Sequence, residues 1–161
     1  MPRDIIDLIL DAHSVRQYHP TVAEERRTAI TDLLRENLFM PASGLPGPYA
    51  LRLGIEDGRL LLEITSTITL AQETIRLAVR PLRGIIRDYF AICASHYQGL
   101  ATLAPTQLEA IDMGRRGVHN EGSELLRDAL HPKVQIDLPT ARRLFTLVCV
   151  LHIRNEAHVL A

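Results

Sequence analysis

The 161-residue sequence predicts an α+β fold, a small antiparallel sheet of about four strands packed against a helical layer. Three observations carry this expectation. A hairpin is written out around Asp57-Gly58, with apolar residues alternating along both arms. Capping signatures or prolines mark helix starts at Thr21, Pro81, Pro105 and Pro139. The segments then fall in the order β-α-β-β-β-α-α-α, with no internal repeat and no low-complexity stretch.

Residues 4–12 (DIIDLILDA) are rich in branched apolar side chains and short, which predicts a strand. Tyr18-His19-Pro20 reads as a loop. Thr21 with Glu24 then makes a capping box for a helix to about Asn37, its inward stripe being Val22, Ala29, Ile30, Leu33 and Leu34. Residues 40–48 (MPASGLPGP) are a proline- and glycine-rich loop, and the piece before them is too small to be a domain. Folding about Asp57-Gly58 sets Glu56 opposite Arg59, Ile55 opposite Leu60, Leu53 opposite Leu62, Arg52 opposite Glu63 and Leu51 opposite Ile64. One face is then apolar and the other carries opposite charges. A one-residue slip would turn the apolar set outward, so the register is well specified. A third strand is expected over residues 73–79, with Ile75, Leu77 and Val79 inward.

Pro81 suits the first turn of a long helix to about Leu103, with Leu82, Ile85, Ile86, Tyr89, Cys93, His96, Tyr97 and Leu100 as one stripe and Arg80, Arg83 and Arg87 on the other side. Pro105 starts another helix, with Thr106 and Glu109 as a capping box. It runs into MGRRGVHNEGS, where each glycine costs about 1 kcal/mol in a helix interior. The helix either breaks there or uses the glycines for close packing, and helical character returns over residues 121–130. Pro139 opens the last helix, to about Arg154, whose LFTLVCVL is apolar all round; a buried strand is the competing reading. The end, residues 155–161, looks frayed, and residues 1–161 make one domain.

Composition narrows the function classes. With 47% hydrophobic and 23% charged residues the chain is globular rather than disordered. A net charge of −1 argues against a protein that coats nucleic acid. The N-terminus, interrupted by Asp4, Asp7 and Asp11, lacks the apolar core of a signal peptide, and the apolar stretch at residues 144–151 is far short of the roughly 20 residues a membrane span needs. Cys93 and Cys149 lie in apolar surroundings and do not make a disulfide scaffold. A soluble cytoplasmic protein is the expectation, with no membrane partner and no cofactor. Lys133 is the single lysine; genomic base composition explains the arginine bias without any functional reason.

EAIDMGRRGVHNEGS at residues 109–123, TARRLFTLVCVLHIR at residues 140–154 and PLRGIIRDYF at residues 81–90 resemble uncharacterised protein family 0262, a family of small bacterial proteins. The resemblance covers most of the chain. It implies a bacterial cytoplasmic protein and brings no activity, cofactor or substrate.

The richest candidate site is the segment 114–123, which gathers Arg115, Arg116, His119, Asn120, Glu121 and Ser123 between glycines. Arginine forks grip anions bidentately, and glycines let backbone amides approach a ligand. The structural alternative pairs Arg115 and Arg116 with Asp112 and Glu121, uses Gly114 and Gly117 for helix contact and makes Asn120 a cap. The segment matches no phosphate-loop or dinucleotide fingerprint. His119 and Glu121 form a candidate catalytic acid–base couple, but i and i+2 face one another only in a loop. Nothing marks a nucleophile, since Ser123 is in no GxSxG elbow. Cys93-x-x-His96 and Cys149-x-x-His152 would converge on zinc if their helices lay side by side; buried thiols and core histidines are the ordinary reading. Arg83, Arg87, Arg142 and Arg143 would extend an anion-binding surface if the fold brought them beside Arg115 and Arg116. The absence of tryptophan, with only four tyrosines and three phenylalanines, counts against recognition of single strands by stacking.

Three functions follow as expectations. The first is a non-enzymatic protein whose arginine patch binds an anionic partner: a phosphorylated metabolite, RNA or an acidic protein. The second is a small enzyme on a phosphorylated or carboxylated metabolite, with His119 as acid/base oriented by Glu121. The third is a homo-oligomeric adaptor, with the apolar last helix and residues 40–48 at the interface.

Overall fold

The computed structural model describes residues 3–11 and 20–152. The loop expected at Tyr18 and His19, the helical residues expected past His152 and the tail at 155–161 lie outside them. The elements, in order, are β1 (Ile5–Asp11), α1 (Pro20–Arg35), β2 (Phe39–Pro41), β3 (Tyr49–Glu56), β4 (Arg59–Ser66), β5 (Gln72–Ala78), a 3₁₀ turn (Arg80–Leu82), α2 (Arg83–Gly99), α3 (Pro105–Leu130), β6 (Val134–Ile136) and α4 (Leu138–Leu151). The fold class is α+β.

The main sheet has the order β1-β3-β4-β5. The β3–β4 hairpin has the register its sequence dictates, from Glu56 opposite Arg59 through Leu51 opposite Ile64. Asp57 (φ 53°) and Gly58 (φ 72°) both take the left-handed conformation that a two-residue hairpin turn requires. Leu51, Leu53, Leu60, Leu62 and Ile64 are all buried on one face. On the other, Arg52 lies within 4.0 Å of Glu63 and 3.1 Å of Asp11. β5 adds Ile75 to the buried face and leaves Leu77 half-buried.

The sheet is mixed rather than antiparallel. β1 runs parallel to β3, with Leu8 beside Leu51 and Leu10 beside Leu53. Helix α1 lies between these strands in the chain and returns it to the same end of the sheet, which is what parallel neighbours require. A second sheet of two strands was not expected. In residues 40–48, read as loop, Met40 and Pro41 belong to β2, which pairs antiparallel with β6. A three-residue strand is too short to show a periodicity of two, so only the pairing reveals it.

This small sheet ties the end of α1 to the start of α4. The Thr140 hydroxyl accepts from Leu38 N–H at 3.0 Å, and Arg143 Nη1 donates to the Glu36 carbonyl at 2.9 Å. Asn37, almost fully buried, accepts from Ile5 N–H at 2.7 Å and donates to the carbonyls of Ile5 (2.9 Å) and Leu33 (2.8 Å). It thereby closes α1 and fixes it to β1. Asn37→Ala leaves all three backbone groups unpaired in the interior. The expected cost is about 2 kcal/mol, read from the urea midpoint at unchanged slope.

Helix details depart from the sequence reading where side chains found other partners. Thr21 lies inside α1, and its hydroxyl meets His96 Nδ1 at 3.3 Å instead of capping the helix. The expected helix from Pro81 to Leu103 is a 3₁₀ turn followed by α2, which stops at Gly99; Tyr97 and Leu100, expected inward, are exposed. α3 is capped two residues earlier than expected, by Gln107 Oε1 accepting from Ala104 N–H at 3.0 Å. It then runs unbroken through all its glycines to Leu130. Asp137 caps α4 by accepting from Thr140 N–H at 2.9 Å. α4 is a helix, and residues 144–150 are buried in succession. It packs against α1, α3 and the sheet at once. Its apolar sides are therefore filled within the chain and do not form the interface expected of them.

Candidate functional site

The helices leave a cavity of about 570 Å³ between α1, the last turn of α2, the middle of α3 and the start of α4. Helical spacing explains its lining. Thr21, Glu25, Thr28 and Asp32 recur on one side of α1; Asp112, Arg115, Arg116 and His119 recur on one side of α3. His96 enters from α2, and Arg142, Arg143 and Thr146 enter from α4.

Glu25 lies at the floor. Its Oε1 accepts from His119 Nε2 at 3.0 Å and from the Tyr89 hydroxyl at 3.0 Å, and its Oε2 lies 3.2 Å from Arg115 Nη1. His119 Nδ1 donates to the Arg115 carbonyl at 2.8 Å. Both ring nitrogens thus face oxygen acceptors. The rings of Tyr89 and Phe145 stand edge-on to the imidazole, at 5.5 and 6.3 Å between centroids. Burial alone would push the Glu25 carboxyl up. The hydrogen bond and charge of His119, the charge of Arg115 and the Tyr89 hydroxyl outweigh it and hold Glu25 below its ordinary value. Burial and the neighbouring Glu25 charge push the Tyr89 phenol well up.

The network continues towards solvent. Arg115 Nη2 donates to Asp112 Oδ1, and Arg116 Nη2 lies 3.3 Å from Asp112 Oδ2. Burial would raise the Asp112 carboxyl, but the Arg115 hydrogen bond and the charges of Arg115 and Arg116 bring it down. The result is an alternating chain: His119, Glu25, Arg115, Asp112, Arg116.

Two further guanidinium groups on the cavity wall have no carboxylate within ion-pair distance among the described residues. Arg142 Nη1 donates to the neutral Asn120 Oδ1, and Arg143 is held by the Glu36 backbone carbonyl. Loss of water around Arg142 depresses its basicity; the Glu25 charge raises it in part, and Arg116 lowers it further. Arg116 and Arg142 therefore sense one another as like charges.

The sequence candidates separate clearly. Arg115, Arg116, Arg142 and Arg143 do come together. Asn120 is no helix cap but the partner of Arg142. Ser123 is buried, and its hydroxyl turns back to the His119 carbonyl. Arg83 and Arg87 do not line the cavity. The acid paired with Arg115 and Arg116 is Asp112, as the local reading allowed, while Glu121 is exposed. The expected couple of His119 with Glu121 is corrected in the same way, because α3 stays helical and sends the two side chains apart. The carboxylate at His119 is Glu25, 94 residues away in sequence. Glu25 was missed; its one signal is position, one turn after Val22 and one before Ala29, at the border of the apolar stripe of α1.

The residues weighed for zinc do not form a cluster. His96 turns to Thr21, and His152 Nδ1 donates to the Val148 carbonyl at 2.7 Å. Cys93 is fully buried, and burial, with the Glu25 charge, pushes its thiol up to about 12. Among the described residues no group of three or more histidine, cysteine, aspartate or glutamate side chains is placed to hold a metal ion. No helix among them is long and apolar enough to cross a membrane.

The family resemblance noted on residues 81–90, 109–123 and 140–154 covers the elements that build this cavity on three sides. The model of Uncharacterised protein family (UPF0262) matches residues 2–154. A UPF0262 protein of Sphingopyxis alaskensis is 49% identical over 155 residues, covering 94% of both chains. Relatives of the same name from Rhizobium meliloti and Brucella canis are each 48% identical, over 94% of this chain and 95% and 94% of their own. No solved structure matches the chain. With the match running from the start of the chain to just past α4, the cavity and its charge network are part of a chain that belongs to the UPF0262 family of bacterial proteins.

Proposed function

We propose that the protein is a cytoplasmic binding protein for a small anion, carboxylated or phosphorylated, held in the four-helix cavity. One observation carries this reading: Arg142 and Arg143 line a concave space with only neutral hydrogen-bond partners among the described residues. A half-desolvated guanidinium beside another cation is an unfavourable arrangement that an anion relieves. A cavity of 570 Å³ falls within the roughly 300–1,000 Å³ of small-molecule sites, which favours a metabolite over RNA or an acidic protein surface.

The enzymatic alternative with His119 as acid/base is weaker. That ring is buried, and both its nitrogens are engaged, one by backbone and one by Glu25. It serves better as a fixed part of the cavity wall than as a proton shuttle.

The test is thermal unfolding at constant ionic strength with inorganic phosphate, succinate and citrate. A ligand at about 100 times its Kd adds about 2.7 kcal/mol, and so raises Tm by about 5–10 °C in a protein of this size. The expected result is such a rise for at least one anion, abolished in the Arg142→Gln/Arg143→Gln double variant. No rise with any of the three, or an equal rise in the double variant, overturns the reading.

A further inference from the structure

We infer that the anion is the phosphoryl group of a small phosphomonoester, clamped between Arg116 of α3 and Arg142 of α4. This deepens the binding function proposed above and rests on it. Charge is the first argument. In the network on the cavity wall, Arg115 and Arg116 balance the carboxylates of Glu25 and Asp112. Arg142 and Arg143 add two positive charges with no carboxylate within ion-pair distance among the described residues. Of the other acids on the wall, Asp32 lies 3.6 Å from Arg35, and Glu24 lies in the exposed rim of α1. A single carboxylate would leave one of those two charges in place. A phosphomonoester carries about −1.5 to −2 at neutral pH and matches them more closely.

Shape is the second argument. Arg116 and Arg142 approach from different helices, and each has spent one edge of its fork, on Asp112 Oδ2 and on Asn120 Oδ1. Both residues line the cavity, and those are the side-chain hydrogen bonds their guanidinium groups make among the described residues. Two forks that reach one cavity from two neighbouring helices suit an acceptor whose oxygens point in several directions. A tetrahedral phosphoryl group presents three such oxygens, whereas a carboxylate presents two in one plane. The cavity is also much larger than a phosphoryl group. Thr28, Thr146 and His96 line the remainder, and polar residues of this kind suit the hydroxyl-bearing part of a phosphorylated metabolite.

The test measures affinity by titration calorimetry at fixed ionic strength and pH 7.5 for inorganic phosphate, glycerol 3-phosphate and succinate, with wild type, Arg116→Gln, Arg142→Gln and Arg83→Gln. Arg116 is largely exposed, so its variant keeps the fold, which circular dichroism verifies for each protein. Glycerol 3-phosphate is expected to bind at least tenfold more tightly than succinate and more tightly than inorganic phosphate. Arg116→Gln and Arg142→Gln should each weaken it at least tenfold, and Arg83→Gln not at all. Inorganic phosphate binding as tightly as the ester removes the organic part of the inference. Succinate binding as tightly as the phosphates, with dependence on Arg142, overturns the phosphoryl assignment and leaves the small-anion reading standing. Phosphate binding insensitive to both arginines overturns the clamp. Heat from none of the three ligands overturns both readings.

Discussion

Glu25→Gln is expected to cost about 3 kcal/mol of stability at neutral pH, because it removes the carboxylate that serves the Arg115 guanidinium, the His119 ring and the Tyr89 phenol in the interior. Glutamine keeps the volume but lacks the charge. Its amide cannot accept from His119, Tyr89 and Arg115 together, so at least one buried donor loses its partner. The pH dependence identifies the mechanism. Glu25 is held below its ordinary carboxyl value of 4.5. A carboxylate depressed in the folded state contributes stability that is full above its unfolded value and lost as pH falls through its folded one. The gap between wild type and Glu25→Gln should therefore be widest above pH 5 and close as the pH is lowered past 4.5 towards the folded value. Urea unfolding of both proteins across that range measures it. A gap that stays constant with pH would mean that packing, not charge, sets the role of Glu25.

The second large effect is expected at Gly122. A Cβ there would overlap Cζ, Cε1 and Cε2 of the Phe145 ring. That ring is fully buried and stands edge-on to Tyr89 and His119, so it has no free direction in which to retreat. Alanine would gain about 1 kcal/mol over glycine in helix propensity. The overlap dominates, and Gly122→Ala should lose about 3 kcal/mol net, either by straining the ring or by pushing α3 away from α4. Gly117→Ala is the control, because nothing lies within 4 Å of its added Cβ. It should stabilise the protein by about 1 kcal/mol through propensity alone. Thermal unfolding of the two variants should therefore move in opposite directions. Equal losses would mean that helix α3 needs glycine for a reason other than contact with α4.

Much of the strand hairpin was legible because its information is local. The Asp57-Gly58 turn and the alternation on both arms leave one register that buries the apolar face, and that register is the one found. The arginines of α3 and α4 were legible as residue types, and their helices supplied the spacing that aims them into one space. What sequence proximity suggested about His119 was misleading. Glu121 is near along the chain but lies elsewhere on the helix surface, while Glu25 is remote and in contact. The expected break at the glycines failed for a related reason: the close contact of Gly122 with Phe145 favours a continuous helix there by more than helix propensity opposes it.

Sequence by itself determined the α+β class, the hairpin register and membership of a family whose model spans residues 2–154. These follow from hydrophobic period, turn chemistry and similarity, all of which are read along the chain. Tertiary structure alone decided the parallel placement of β1, the β2–β6 pairing and the partner of every charge in the cavity. The physical reason is that an ion pair or a strand pairing is chosen by which surfaces the core brings together. The β2–β6 pair, too short to show in the sequence, joins the end of α1 to the start of α4 and so sets the arginines of α4 across from those of α3.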